Sequence, residues 1–157
     1  MTEVAVELVD VEARPTAVLR EQTEWPQLGA TIMRLLDRVW EVMRTEPMKS
    51  RLSHDEFGEN VILYLDHHPT IEVGVIVDGP IDDSHGLLAS ALPAARIARA
   101  IHRGTYDKLG PTHDAVQQWC RDNGHTTTGV SWEHYGHWHE DPEEMETAVC
   151  YVVARAG

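Results

Sequence analysis

The stretch ARAIHRGTYDKLGPTHDAVQQWCRDNG, Ala98–Gly124, changes its hydrophobic period part-way along. Its opening belongs to an extended run, Ala95–His102, that reads as a strand. Gly104 breaks that run, and the segment near Pro111–Asn123 then places Val116, Trp119 and Cys120 at helical spacing. Gly124 falls where a helix ends on a left-handed residue. Part of this stretch occurs twice. Tyr106, Leu109-Gly110 and Thr112 echo Trp25, Leu28-Gly29 and Thr31 at a constant offset of 81 residues.

The earlier copy has the same plan around it. Leu28–Met43 puts Leu28, Ile32, Leu35, Leu36, Val39 and Met43 on one helical face, with Pro26 suited to a first turn. Val4, Val6 and Leu8 alternate as a strand, and Thr16–Leu19 forms the next. Val61–Leu65 and Ile71–Val77 follow the helix; in the second, Ile71, Val73, Val75 and Val77 share a face opposite Glu72 and Gly74. The later copy supplies Leu87–Ala91 and Ala95–His102 before its helix, then Thr127–Tyr135 and Thr147–Val153 after it. Acidic, turn-rich DGPIDDSHG at Asp78–Gly86 separates the halves.

These elements predict an α+β fold made of two strand-strand-helix-strand-strand units. They form one domain over residues 1–157, with repeats at about 1–78 and 87–157. An antiparallel sheet carries both helices on one face, and a ligand cleft falls at the pseudo-twofold seam.

Composition narrows the function. Of 157 residues, 42% are hydrophobic and 25% charged, enough for a packed interior. Asp plus Glu number 26 against 13 Lys plus Arg, a formal charge of -13, which argues against a nucleic-acid or anionic-membrane surface. No apolar run approaches the roughly 20 residues that span a bilayer, and Met1–Leu8 lacks a basic leader. Cys120 and Cys150 are too few for a disulfide framework. The expectation is a soluble cytoplasmic domain.

Alternation in Gly129–Tyr135 puts Val130, Trp132 and His134 on one face and Ser131, Glu133 and Tyr135 on the other. If Val130 and Trp132 pack under the helices, Glu133 and Tyr135 point together into the opposite cleft. A carboxylate beside a phenol can pair with a cation or work as a general base; a solvated strand face accounts for the same letters. Trp25 and Tyr106 each precede a helix. They are either staples holding the helix starts or flat walls for an aromatic or cationic ligand.

His134, His137 and His139 in HYGHWHED tempt a zinc reading, yet on a strand they cannot all converge, and HExxH is absent. Ten histidines read as exposed, titratable surface. GxSxG and Gly-rich phosphate loops are missing, and both cysteines fall at core positions. No metal or other cofactor is expected.

On Ala98–Gly124 and the closing VSWEHY…DPEEMETAVCYVV of Val130–Val153, the chain resembles the GyrI-like small-molecule-binding domain. This is the SOUL-like effector-binding fold of some AraC-type and MerR-type multidrug regulators. The resemblance implies a duplicated fold with a central cleft for bulky, lipophilic, aromatic or cationic compounds. It assigns Glu133 as the buried glutamate that meets the ligand and Tyr135 as its neighbour. Trp25, Tyr64 and Tyr106 complete the expected lining. HYGHWHED has no counterpart in that pattern, and no helix-turn-helix precedes the first strand, so a stand-alone cleft is expected. The resemblance also carries two alternatives. One is a hydrolase opening a strained cyclopropane ring, with Glu133 activating water and Tyr135 meeting the developing oxyanion. The other is an acidic protein partner, after the gyrase inhibitor in the family.

Overall fold

A computed structural model describes residues 4–155. The terminal residues 1–3 and 156–157, which the expected repeats take in, lie outside the described residues. The strands are β1 (Glu7–Val11), β2 (Arg14–Gln22), β3 (Asn60–Tyr64), β4 (Thr70–Ile76), β5 (Leu88–Leu92), β6 (Ala95–Arg103), β7 (Thr127–Tyr135) and β8 (Glu146–Val153). Helices α1 (Leu28–Met43) and α2 (Leu109–Asp122) sit between β2 and β3 and between β6 and β7. The first strand begins at Glu7, later than the Val4–Leu8 alternation suggests; its pairing with β6 runs from Glu7 opposite Arg99 to Val11 opposite Ala95.

Each helix forms for the reason its spacing implies. In α1, Thr31, Leu35, Val39 and Met43 are buried, and in α2 so are Leu109, Thr112, Val116 and Cys120. A 3-10 turn leads into each, Trp25–Gln27 and Tyr106–Lys108. Helix α2 stops at Gly124, whose φ of 74° lets His125 N–H reach Cys120 O at 2.8 Å and Gly124 N–H reach Arg121 O at 3.3 Å. This paired closure satisfies carbonyls the helix would otherwise strand.

All eight strands form one antiparallel sheet in the order β1-β6-β8-β7-β3-β4-β2-β5. Exchanging the strands of the two units reverses this order onto itself, which places the pseudo-twofold axis between β3 and β7. The first strand of each unit pairs with the other unit, so neither half closes its sheet alone.

Connectivity forces the sheet to curl. Between β1 and β2 lie six strand spacings of about 4.8 Å, near 30 Å if flat, yet only Glu12 and Ala13 join them. Two residues reach roughly 10 Å. Pro93-Ala94 imposes the same closure between β5 and β6. One face is thereby enclosed and holds Val61, Leu63, Ile97, Trp132 and Cys150 from central strands together with Leu92 from the edge. The other face carries both helices, over Ile62, Ile71 and Val73 under α1 and Ala98, Ala100 and Val149 under α2.

This corrects the expected sidedness. Trp132 and Val130 pack in the enclosed face, away from the helices. Glu133 and Tyr135 lie on the helix face. The partition of side chains along β7 is as alternation predicts; the cleft is between the helices, not behind them. Ile71, Val73 and Val75 likewise face α1, and Glu72 faces away, bonded by Arg20 and Ser90.

Candidate functional site

Between α1 and α2, above β3, β7 and β8, the chain leaves a cleft of about 680 Å³. Its two helical walls correspond residue for residue. Trp25, Leu28, Gly29, Ile32, Met33 and Leu36 line one side; Tyr106, Leu109, Gly110, His113, Asp114 and Gln117 line the other, each 81 residues on. The echo in the sequence is therefore the pair of walls. The walls differ in chemistry: Ile32, Met33 and Leu36 face His113, Asp114 and Gln117.

The floor comes from the sheet. Register sets Ile62 opposite Glu133 and Tyr64 opposite Ser131, while β8 sets Tyr151 beside Ser131. Tyr64, Glu133, Tyr135 and Tyr151 consequently rise from three neighbouring strands into one space. Of the expected ligand set, all five line it. Glu133 is 5% exposed, whereas Trp25 at 55% and Tyr106 at 45% stand at the mouth. Trp25 Nε1–H donates to His67 O at 3.2 Å, and Tyr106 sets its ring edge-on to Tyr135 at 5.1 Å between centroids.

Glu133 is held by three donors. Tyr135 OH donates to Oε1 at 2.6 Å and Tyr64 OH to the same atom at 3.1 Å. His113 Nε2 lies 2.6 Å from Oε2. His113 Nδ1 is 2.7 Å from Tyr151 OH, which also accepts from Gln117 Nε2 at 3.1 Å. One proton arrangement satisfies the chain: Gln117 donates to Tyr151, Tyr151 to His113 Nδ1, and His113 Nε2–H to an ionised Glu133. Burial first, and then the Glu133 charge, push the Tyr64 and Tyr135 phenols far above their ordinary range and Tyr151 up to about 12. The phenols stay protonated and remain donors.

His113, Gln117 and Tyr151 were missed in the sequence. The signal was present for two of them, since the 81-residue offset maps core-facing Ile32 and Leu36 onto His113 and Gln117. Histidines as a class are not all surface. His102 and His134 are buried, at 8% and 9% exposure. His102 bonds Thr112 Oγ1 and Thr105 O, and His134 Nε2–H donates to Gly58 O at 2.7 Å. Among the described residues, no group of three or more His, Cys, Asp or Glu is arranged to hold a metal.

Three carboxylates, Asp66, Asp114 and Glu133, line the cleft, and among the described residues neither Lys nor Arg does. An aliphatic wall, a polar wall and a floor that holds a buried carboxylate define a receptacle for a small molecule.

The comparisons agree with that class. Residues 5–153 match the profile of the GyrI-like small molecule binding domain, and the chain belongs to this family. The C-terminal domain of EcmrR is similar in structure, with a TM-score of 0.76 at 18% identity over 98% of this chain and 99% of that one. In the EcmrR–DNA complex the TM-score is 0.78 at 21% identity, and the match takes in 98% of this chain but 58% of the regulator. SAV2435 bound to tetraphenylphosphonium gives 0.70 at 13% identity, over 96% and 94% of the two chains. A hydrolase from Listeria innocua gives 0.61 at 11%, over 98% and 94%. No curated protein matches the sequence. Among the described residues no helix is long and apolar enough to cross a membrane.

Proposed function

We propose that the domain captures a bulky, lipophilic, aromatic or cationic compound in the cleft between α1 and α2, in the cytoplasm, as a means of tolerance or sensing. The observation that carries this reading is Glu133. A carboxylate that is 5% exposed forms the floor of an apolar cavity with neither Lys nor Arg among its described lining residues. A cation about 5 Å from it gains roughly 3 kcal/mol at an effective dielectric near 20, before desolvation is subtracted. Stacking on Trp25 and Tyr106 supplies affinity for flat rings. Micromolar capture requires about 8 kcal/mol in all, within the range of such a cavity. The tetraphenylphosphonium held by SAV2435, a protein of the same fold, supports the choice of probe.

Tetraphenylphosphonium and tetraphenylborate have closely similar shapes and opposite charges. Titration calorimetry is expected to show binding of the cation and at least about tenfold weaker binding of the anion, roughly 1.4 kcal/mol. Glu133→Gln is expected to erase most of that difference. Equal affinity for the two ions in the unmodified protein would sink the electrostatic half of the proposal.

A second reading, hydrolysis of a strained cyclopropane conjugated to a carbonyl, draws on the buried Glu133 carboxylate and the Tyr135 hydroxyl standing 2.6 Å apart in the cleft. Glu133 would take a proton from water as its oxygen bonds a ring carbon. The ring C–C bond breaks toward the carbonyl, and the resulting enolate is protonated. Tyr135 would have to turn from Glu133 to meet that oxyanion. A product heavier by one water, formed by the unmodified protein and not by Glu133→Gln, is the expected mark; undiminished turnover in the variant excludes this base.

A further inference from the structure

The donors that meet Glu133 on the cleft floor are already committed. Tyr64 and Tyr135 spend their hydroxyl protons on Glu133, Tyr151 spends its own on His113, and His113 spends Nε2–H on Glu133. Trp25 Nε1–H is used by His67 O. Acceptors remain. Glu133 Oε2 receives one bond, and among the described residues no donor reaches the Gln117 carbonyl oxygen or the Asp114 carboxylate. Asp114 directly follows His113, Gln117 lies one turn beyond it, and Asp114 and Gln117, three residues apart, share a face of α2. The opposing positions on α1, Met33 and Leu36, offer no hydrogen bonds at all.

We infer that the cleft selects an amphipathic primary or secondary ammonium compound, its apolar body against α1 and its N–H groups toward Glu133, Gln117 and Asp114 on the α2 side. This deepens the proposed capture of lipophilic cations and rests on it. A quaternary or phosphonium cation satisfies the charge but leaves the acceptors without donors, and desolvated acceptors without partners weaken binding. The apolar and polar walls also fix which way round the ligand lies, something two identical repeats could not do.

Calorimetry with the full chain can separate hydrogen bonding from charge by using 3,3-diphenylpropylammonium and its N,N,N-trimethyl derivative. The same aromatic body and the same charge are presented with and without N–H. The primary ammonium is expected to bind about fivefold tighter or more. Gln117→Leu and the exposed change Asp114→Asn are each expected to shrink that ratio, with a smaller effect on the trimethyl compound. Equal or tighter binding of the trimethyl compound overturns the inference. So does a ratio that neither substitution alters, which would put the N–H preference elsewhere in the cleft. Tetraphenylphosphonium serves as the control. If it binds while both amines fail, donor selection is wrong and cation capture stands; if all three fail, both readings fall.

Discussion

Glu133 accepts bonds from Tyr64, Tyr135 and His113, and the condition of those partners is measurable. All four tyrosines of the chain line the cleft, and burial raises every one. The native state therefore holds phenolic protons that the unfolded chain releases near pH 10. The stability they contribute is full below that pH and is lost as pH rises above it, because the unfolded state then binds fewer protons. Absorbance at 295 nm is expected to show at most one phenolate of the four, that of Tyr106 at the mouth, at pH 10.5 until the protein unfolds. A normal titration of four phenols in the folded protein would mean that the network does not exist. Strand alternation was enough to pair Glu133 with Tyr135. It could not add His113 or Tyr151, because they come from other elements: His113 reaches Glu133, and Tyr151 reaches His113, only when α2 packs on β8.

At the scale of elements, close approach of β2 and β4 is decided at Gly74. A Cβ there would stand 2.0 Å from Ala17 O, a backbone atom that cannot step aside. Gly74→Ala is expected to cost about 3 kcal/mol or more, read as a lower urea midpoint; a loss under about 1 kcal/mol would mean the strands separate freely. Helix α1 was legible to its end residues, since Leu28–Met43 has an unbroken apolar stripe. Helix α2 begins two residues before the expected Pro111, because Leu109-Gly110 already continues the turn that starts at Tyr106. The side of the sheet on which the helices lie was not legible. A period of two says which residues share a face, and both faces here are apolar.

For the molecule as a whole, the acid response depends on a buried cluster where the loop before β3 meets β7. Burial lowers His134, outweighing the Gly58 carbonyl and Asp55 that favour its charged form. Asp55 is itself raised by burial, but Arg14 and the Phe57 and Gly58 amides together hold it below its ordinary value. For both groups the unfolded state binds more protons, so stability is present above the unfolded values and falls with pH. The decline starts near pH 6.5 for the histidine and near pH 4 for the aspartate. The urea midpoint is expected to drop between pH 7.5 and 5.5, and His134→Gln to flatten that drop. An equal slope in the variant would assign the loss to other groups.

The sequence by itself determined the elements, their duplication, the phase of each helix and the partition of side chains along each strand. All of these follow from local periodicity and from a repeat of 81 residues. Tertiary structure decided the rest: which sheet face the helices cover, and that the two walls of the cleft are the two copies of one segment. It also decided that Glu133 lies among Tyr64, His113 and Tyr135. Those outcomes depend on strand order and curl, which two-residue links between distant strands impose, and no local pattern of residues encodes them.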